Sequence, residues 1–139
     1  MQLAAIRILV VDDFEPWRRF LSSMILTKSE WQIVGEASDG LEAVQKVVEL
    51  KPDLILLDIG LPKLNGIEAA KQIREVAPES KIIFLTVESS ATVMQEALSF
   101  GAWGYVVKMM AESELLAAVE TVLSGKRFVS SNLQFNRPN

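Results

Sequence analysis

The chain has no cysteine and no histidine among its 139 residues. Without cysteine, disulfide bonds, thiol catalysis and thiolate metal sites are excluded, which is compatible with a reducing cytoplasm. Without histidine, the Ser-His-Asp triad, imidazole acid–base catalysis and the usual zinc sites are excluded as well. Any metal ion in this protein must therefore be bound by oxygen ligands.

Long apolar runs, an export signal and an excess of positive charge are also lacking. The apolar runs are too short to span a bilayer, and no basic segment followed by an apolar core opens the chain. We therefore expect a soluble, cytoplasmic protein without membrane contact. The 14 Lys and Arg residues against 18 Asp and Glu residues give a net charge of −4. Such a charge repels a phosphate backbone, so direct nucleic-acid binding by this segment is not expected.

The composition that is present is typical of one globular domain. Half of the residues are hydrophobic and 23% are charged, and the length suffices for a single well-filled core. We assign residues 1–127 to this domain. Residues 128–139 are polar near their end and show no periodicity, so we predict a tail or the stub of a linker there.

A short apolar run followed by helical spacing of apolar residues occurs about five times. The runs lie near residues 7–13, 31–37, 53–62, 81–85 and 105–107. This alternation predicts an α/β fold with a parallel sheet covered by helices on both faces. We expect a flavodoxin-like (βα)5 three-layer sandwich with a five-stranded sheet of order 2-1-3-4-5. The expected helix caps are Asp13, Asp39, Asn65, and either Ser89 or Ser90.

Carboxylates follow the first and third predicted strands. Asp12 and Asp13 end the first strand, and Asp58 ends the third. In the proposed order these strands are neighbours, so the three acids converge at one edge of the sheet. Unit charges 4 Å apart repel by about 4 kcal/mol at an effective dielectric of 20. A hard divalent cation bound by oxygen, Mg²⁺ above all, is the natural counterion.

Two further polar residues are expected at the same edge. Thr86 ends the fourth strand and Lys108 ends the fifth. A carboxylate nucleophile, a metal ion, a lysine and a hydroxyl together are suited to accepting a phosphoryl group as an acyl phosphate. Taken singly, each residue has an ordinary interpretation as a helix cap, a turn residue, the end of a strand or a surface charge. Tyr105 could likewise be a half-buried strand aromatic with its hydroxyl in water.

In this combination, the sequence from about Arg7 to Arg127 resembles the response-regulator receiver domains of two-component signalling. The matching residues are Asp12-Asp13, Asp58 followed by Ile59-Gly60-Leu61-Pro62, Asn65-Gly66, Thr86, Tyr105 and Lys108. Two sequence stretches are similar to those of the receiver subgroup that often carries a LuxR-type helix-turn-helix output domain. They are Gly-Glu-Ala-Ser-Asp-Gly at 35–40 and Gly-Ala-Trp-Gly-Tyr-Val-Val-Lys at 101–108.

The resemblance implies a role for each matching residue. Asp58 would be the phosphoacceptor, phosphorylated by a sensor histidine kinase. Asp13 and Asp58 would bind Mg²⁺ directly, Asp12 directly or through water, and Gly60 through its backbone carbonyl. Lys108 would pair with the phosphoryl oxygens.

The resemblance also implies a conformational switch. Thr86 would turn inward to the phosphate and Tyr105 would follow, which alters the face formed by the fourth helix, fifth strand and fifth helix. That face, or another helix face, would then control a partner, a homodimer or an output domain. The protein would be a phosphoacceptor rather than an enzyme, with autodephosphorylation only.

Two departures from the family pattern stand out. Met109 and Met110 follow Lys108, where the family often has proline, frequently after a cis peptide. Gly60 and Glu88 occupy positions that tune the loss of phosphate in the family, and Gly60 offers no side chain to orient a water molecule.

Two other functions compete with the receiver interpretation. The same residues could serve a Mg²⁺-dependent phosphohydrolase with Asp58 as nucleophile, although no cap domain or second substrate-binding segment is visible. A flavodoxin-like cofactor carrier is the third candidate. Its flavin phosphate would be repelled by the acidic, glycine-free turn at residues 12–15.

Overall fold

The computed structural model describes residues 5–130. Strands and helices alternate along the chain in this order: β1 Ile6–Val11, α1 Glu15–Ile25, β2 Trp31–Ala37, α2 Gly40–Leu50, β3 Leu54–Leu57, α3 Gly66–Val76, β4 Lys81–Thr86, α4 Ala91–Ser99, β5 Gly104–Val107, a 3₁₀ turn Lys108–Met110, α5 Ala111–Leu123 and β6 Phe128–Val129. No helix within these residues is long and apolar enough to cross a membrane.

The strands form one parallel sheet of order β2-β1-β3-β4-β5-β6 across the described residues. The predicted order 2-1-3-4-5 is confirmed, and a short sixth strand is added to it. Residues 128–129 therefore belong to the sheet and not to a tail, contrary to the sequence-based assignment. They pair with Gly104 and Tyr105, and the next residue, Ser130, is buried and donates a hydrogen bond to Glu114. The other predicted tail residues, 131–139, lie outside the described residues.

Helices cover both faces of the sheet, which gives the predicted three-layer sandwich. Helices α2, α3 and α4 pack on one face, where Val47, Ile73 and Ala97 join the core. Helices α1 and α5 pack on the other face through residues such as Leu21 and Leu115. Strand β3 lies between the two cores and all four of its residues are buried, as expected for an apolar run without a polar alternate face.

Helix starts follow the predicted caps at three of four places. The side chains of Asp39, Asn65 and Ser90 accept hydrogen bonds from backbone N–H groups in the first turns of α2, α3 and α4. The prediction for Asp13 is wrong. The N-cap position of α1 is Phe14, one residue after Asp13, and the helix begins there without a side-chain cap. The Phe14 N–H donates its hydrogen bond to Oδ1 of Asp12. The carboxylate of Asp13 is thus not used as a cap.

Candidate functional site

The register of the sheet brings the predicted acids to one edge. Val11 is paired with Leu57, so Asp12 and Asp58 leave neighbouring strands side by side. Thr86 and Val107 are paired at the ends of β4 and β5, and Lys108 follows directly. The site is thus built from the residues that come immediately after, or last in, four parallel strands, where doubly wound sheets commonly bind ligands.

Lys108 lies between the two buried acids. Its Nζ is 2.6 Å from Oδ2 of Asp12 and 3.6 Å from Oδ2 of Asp58. Asp12 is 1% exposed and Asp58 is 7% exposed. The lysine therefore neutralises part of the negative charge, while Asp13 lies exposed at the rim of the pocket.

The three aspartates together fit a divalent cation. One carboxylate oxygen from each of Asp12, Asp13 and Asp58 lies within 4.8 Å of the others. The buried Oδ2 of Asp12 is in contact with the ammonium of Lys108, which is its ionic partner. An all-oxygen cluster in which one lysine offsets only part of the charge of three carboxylates is the donor set that Mg²⁺ prefers.

Burial raises the pKa of Asp58 above its ordinary value of 3.8, and the negative charge of Asp12 acts in the same direction. Lys108 and the backbone N–H groups of Gly60 and Ile59 lower this pKa in part. The charged form of Asp58 is therefore held in an environment that only partly compensates for its lost hydration. A cation bound next to it would supply the missing compensation.

Thr86 and Tyr105 are connected through the backbone of Glu88. The Thr86 hydroxyl oxygen accepts a hydrogen bond of 3.1 Å from the Glu88 N–H, and the Tyr105 hydroxyl donates one of 2.7 Å to the Glu88 carbonyl. Tyr105 is fully buried, so the interpretation of a half-buried ring with its hydroxyl in water is wrong. Burial and the charges of Glu88 and Asp58 raise the pKa of its hydroxyl, which stays protonated.

The two departures from the family pattern have simple structural outcomes. Met109 lies in the 3₁₀ turn and is 81% exposed, and no cis peptide bond occurs within residues 5–130. A Cβ atom added to Gly60 would meet no heavy atom within 4 Å. The loop after Asp58 is therefore open to solvent at that position.

Two contacts of the site escaped the sequence-based reasoning. Arg18 donates a hydrogen bond of 2.6 Å to the Asp12 carbonyl and forms an ion pair with Glu36, so α1 fixes the acidic turn. Trp17 packs against the core, and its ring centroid also lies 5.3 Å from Lys108 Nζ. The sequence could have indicated both contacts, because Trp17 and Arg18 lie about one helical turn after the acidic pair Asp12-Asp13.

Comparison with known proteins decides the family. Residues 8–120 match the response regulator receiver domain. The chain belongs to this family. It is 39% identical over 116 residues to the chemotaxis protein CheY of Thermotoga maritima, with 84% of the chain and 96% of that protein covered. It is 38% identical over 120 residues to the transcriptional regulatory protein LnrK of Bacillus subtilis, with coverages of 86% and 54%.

The solved structures agree with this assignment. A two-component response regulator of the LuxR family from Aurantimonas sp. SI85-9A1 superposes with a TM-score of 0.90 at 32% identity and covers 94% of each chain. The receiver domain thus corresponds to nearly all of CheY but to about half of LnrK. The resemblance inferred from the sequence, including its similarity to LuxR-type regulators, is confirmed.

Proposed function

We propose that this receiver domain accepts a phosphoryl group on Asp58 from a sensor histidine kinase, and that Mg²⁺ bound at the acidic cluster supports the transfer. The observation that carries the proposal is the placement of Asp58. It stands at the end of a buried central strand, within reach of Lys108 and beside Asp12 and Asp13. Oxygens of Asp12, Asp13 and Asp58 would hold the cation, together with the backbone carbonyl of Gly60.

The proposed chemistry is a displacement at phosphorus. A carboxylate oxygen of Asp58 forms a bond to phosphorus while the bond from phosphorus to the donor's imidazole nitrogen breaks, and the electron pair stays on that nitrogen. A cation bound at the cluster would neutralise charge on the phosphoryl oxygens. The raised pKa of Asp58 supports this role, because a poorly solvated carboxylate has more to gain from a bond to phosphorus.

Lys108 and Thr86 are placed to hold the phosphoryl group after transfer. The ammonium of Lys108 already lies 3.6 Å from Asp58, so phosphoryl oxygens on that residue would come within its reach. The Thr86 hydroxyl uses its oxygen as an acceptor toward Glu88, which leaves its proton available to donate. A move of Thr86 toward the phosphate would pull on Glu88, and the hydrogen bond from Tyr105 would transmit this pull to β5.

The readout of this change is proposed to lie on the face formed by α4, β5 and α5. Tyr105 belongs to β5 and its hydroxyl contacts the loop that leads into α4. A partner, a homodimer or an attached output domain contacting this face, or another helix face, would respond to the state of Asp58. Since the chain spans about half of relatives such as LnrK, an output domain of the helix-turn-helix type fits the same proposal.

The deciding experiment is phosphorylation by acetyl phosphate and Mg²⁺, followed by intact mass. Wild type should gain one phosphoryl group and Asp58→Asn none. Asp53→Asn is the matched control, because Asp53 precedes the same strand at its opposite end, where it accepts a bond from Arg7, and it should be modified like wild type. No gain by wild type refutes the proposal, and steady hydrolysis of phosphate esters would favour the phosphohydrolase instead.

The metal part of the proposal is tested by calorimetric titration with Mg²⁺. Asp13→Ala should weaken binding by about tenfold or more, because it removes a charged ligand. Glu15→Gln is the control, since Glu15 is exposed in the next turn and pairs with Arg19. Equal affinity of the Asp13→Ala variant and wild type would remove Asp13 from the site.

A further inference from the structure

The loop between β3 and α3, residues 58–65, carries Asp58 and Gly60. Two glycines outside the loop pack against its backbone. Gly66 closes its far end. The Gly66 N–H donates a hydrogen bond of 2.7 Å to the Ile59 carbonyl. A Cβ atom at this position would overlap the carbonyl oxygen of Asp58 and lie 2.7 Å from Ile59 Cα. The start of α3 therefore packs directly on the backbone of the phosphoacceptor.

Gly40, the first residue of α2, contacts the same loop from the other side. Its N–H donates a hydrogen bond of 3.4 Å to the Pro62 carbonyl. A Cβ atom here would overlap the carbonyl oxygen of Leu64 and lie 2.6 Å from its carbonyl carbon. Because these are main-chain atoms, no side-chain rotation can relieve the overlap. A residue larger than glycine would have to push the loop away from α2.

Lys63 forms a second contact between the loop and the start of α2. Its φ is 67°, a left-handed conformation that a residue with a side chain keeps only when its surroundings hold it. Its Nζ lies 3.5 Å from Oδ2 of Asp39, while Oδ1 of Asp39 caps α2 through the Glu42 N–H. Asp39, just before α2, and Gly40, its first residue, thus both contact the loop that follows Asp58.

We propose that Gly40 is a positioning residue for the divalent-cation site. Its missing side chain lets α2 approach the loop, and this approach sets where Asp58 and Gly60 lie relative to Asp12 and Asp13. The inference rests on the proposed function in one respect, since it requires the acidic cluster to bind Mg²⁺. Loss of a group that orients metal ligands typically costs 10- to 100-fold in metal affinity.

The test is a Mg²⁺ titration of Gly40→Ala by calorimetry, far below the melting temperature of the variant. We expect the dissociation constant to rise by about tenfold or more. The rate of phosphorylation by acetyl phosphate should fall at low Mg²⁺ and recover toward wild type at high Mg²⁺. Such recovery is the signature of weakened metal binding, which general destabilisation of the fold would not produce.

Gly35→Ala is the matched control. A Cβ atom at Gly35 lies 2.8 Å from Cδ1 of Leu50, the last residue of α2. This contact is the end of a flexible side chain at the far end of the same helix, so it disturbs the packing of α2 without touching the loop. The control should bind Mg²⁺ within twofold of wild type.

The outcomes separate this inference from the proposed function. If wild type itself binds no Mg²⁺ or gains no phosphoryl group, the proposed function fails. If wild type does both and folded Gly40→Ala binds Mg²⁺ as tightly, the role of Gly40 is refuted and the function stands. If Gly40→Ala does not fold, Lys63→Gly decides. Glycine accepts the φ of Lys63 without strain but removes the ion pair, so affinity should fall by about threefold.

That fall opposes simple electrostatics, because losing a positive charge near the site would by itself tighten cation binding. If Lys63→Gly binds Mg²⁺ as tightly as wild type or more tightly, the proposed role of α2 in positioning the loop is refuted.

Discussion

Replacing Asp58 by asparagine should stabilise the metal-free receiver domain, although it removes one partner of an ion pair. The attraction to Lys108 across 3.6 Å is about 4.6 kcal/mol at an effective dielectric of 20. Each repulsion from Asp12 and Asp13, across at most 4.8 Å, is about 3.5 kcal/mol or more on the same scale. The repulsion from Asp12 is smaller than the attraction to Lys108, and solvent weakens the repulsion from the exposed Asp13. The cost of burying the carboxylate, which is the largest cause of its raised pKa, therefore decides the sign.

Because Asp13 is exposed, solvent screens its repulsion of Asp58. The net gain in stability from Asp58→Asn is therefore modest. We expect Asp58→Asn to raise the free energy of unfolding by about 1–2 kcal/mol at pH 7 in EDTA, which corresponds to a rise in melting temperature of roughly 3–8 °C for a domain of this size. Urea denaturation or calorimetry measures it. Addition of Mg²⁺ should narrow the difference, because the cation stabilises wild type by mass action.

The pH dependence gives the sharper test. Burial raises the pKa of Asp58 above 3.8, so the native protein holds the Asp58 proton more tightly than the unfolded chain. Wild type therefore loses stability as the pH rises from 3.8 through the native pKa, whereas asparagine does not titrate. The advantage of the variant should vanish below pH 3.8 and be complete at neutral pH.

Asp39→Asn is the control, and its expected change in stability at neutral pH has the opposite sign. The hydrogen bond from the Glu42 N–H is the main cause that lowers the pKa of Asp39. This variant should therefore be less stable than wild type at neutral pH, with the difference lost under acid conditions. The reasoning on Asp58 is refuted if Asp58→Asn is less stable than wild type in EDTA at pH 7, or equally advantaged at both ends of the pH range.

Two further substitutions test contacts around β5. Tyr105→Phe removes the hydroxyl that bonds to the Glu88 carbonyl and should lower the free energy of unfolding by about 1 kcal/mol, measured in urea; an unchanged midpoint would contradict the bond. Ser130→Ala leaves the Val107 N–H without its 2.9 Å acceptor and should cost about 1–3 kcal/mol, whereas Ser23→Ala, at an exposed position, should change stability by less than about 0.5 kcal/mol.

The central strands and the converging acids were predictable because local signals and topology agree there. An apolar run without polar alternation specifies a buried parallel strand, and the strand order then places Asp12 beside Asp58. The same reasoning placed Lys108, which the structure brings to 2.6 Å from Asp12. The caps at Asp39 and Asn65 were predictable as well, since they depend on hydrogen bonds within three residues.

Features that depend on tertiary packing were missed. Strand β6 has two residues, too few for a periodic pattern, and only the edge of β5 makes them a strand. The cap of α1 was misplaced because the helix begins one residue later than a cap at Asp13 requires, with Phe14 at its N-cap position. Nothing local predicts that Gly40 touches the carbonyl of Leu64, since that contact requires α2 and the β3–α3 loop to be docked.

Strand β6 has a consequence for self-association. An unpaired strand edge is a template for adding a strand from another molecule, and β5 would present such an edge with its apolar sequence Gly-Tyr-Val-Val. Here Gly104 and Tyr105 are already paired on both sides, with β4 and with β6. Within residues 5–130, β6 is only two residues long, so the edge that it offers in place of β5 is short. Two copies of this domain that meet near β5 should therefore join through helix side chains and not by merging their sheets.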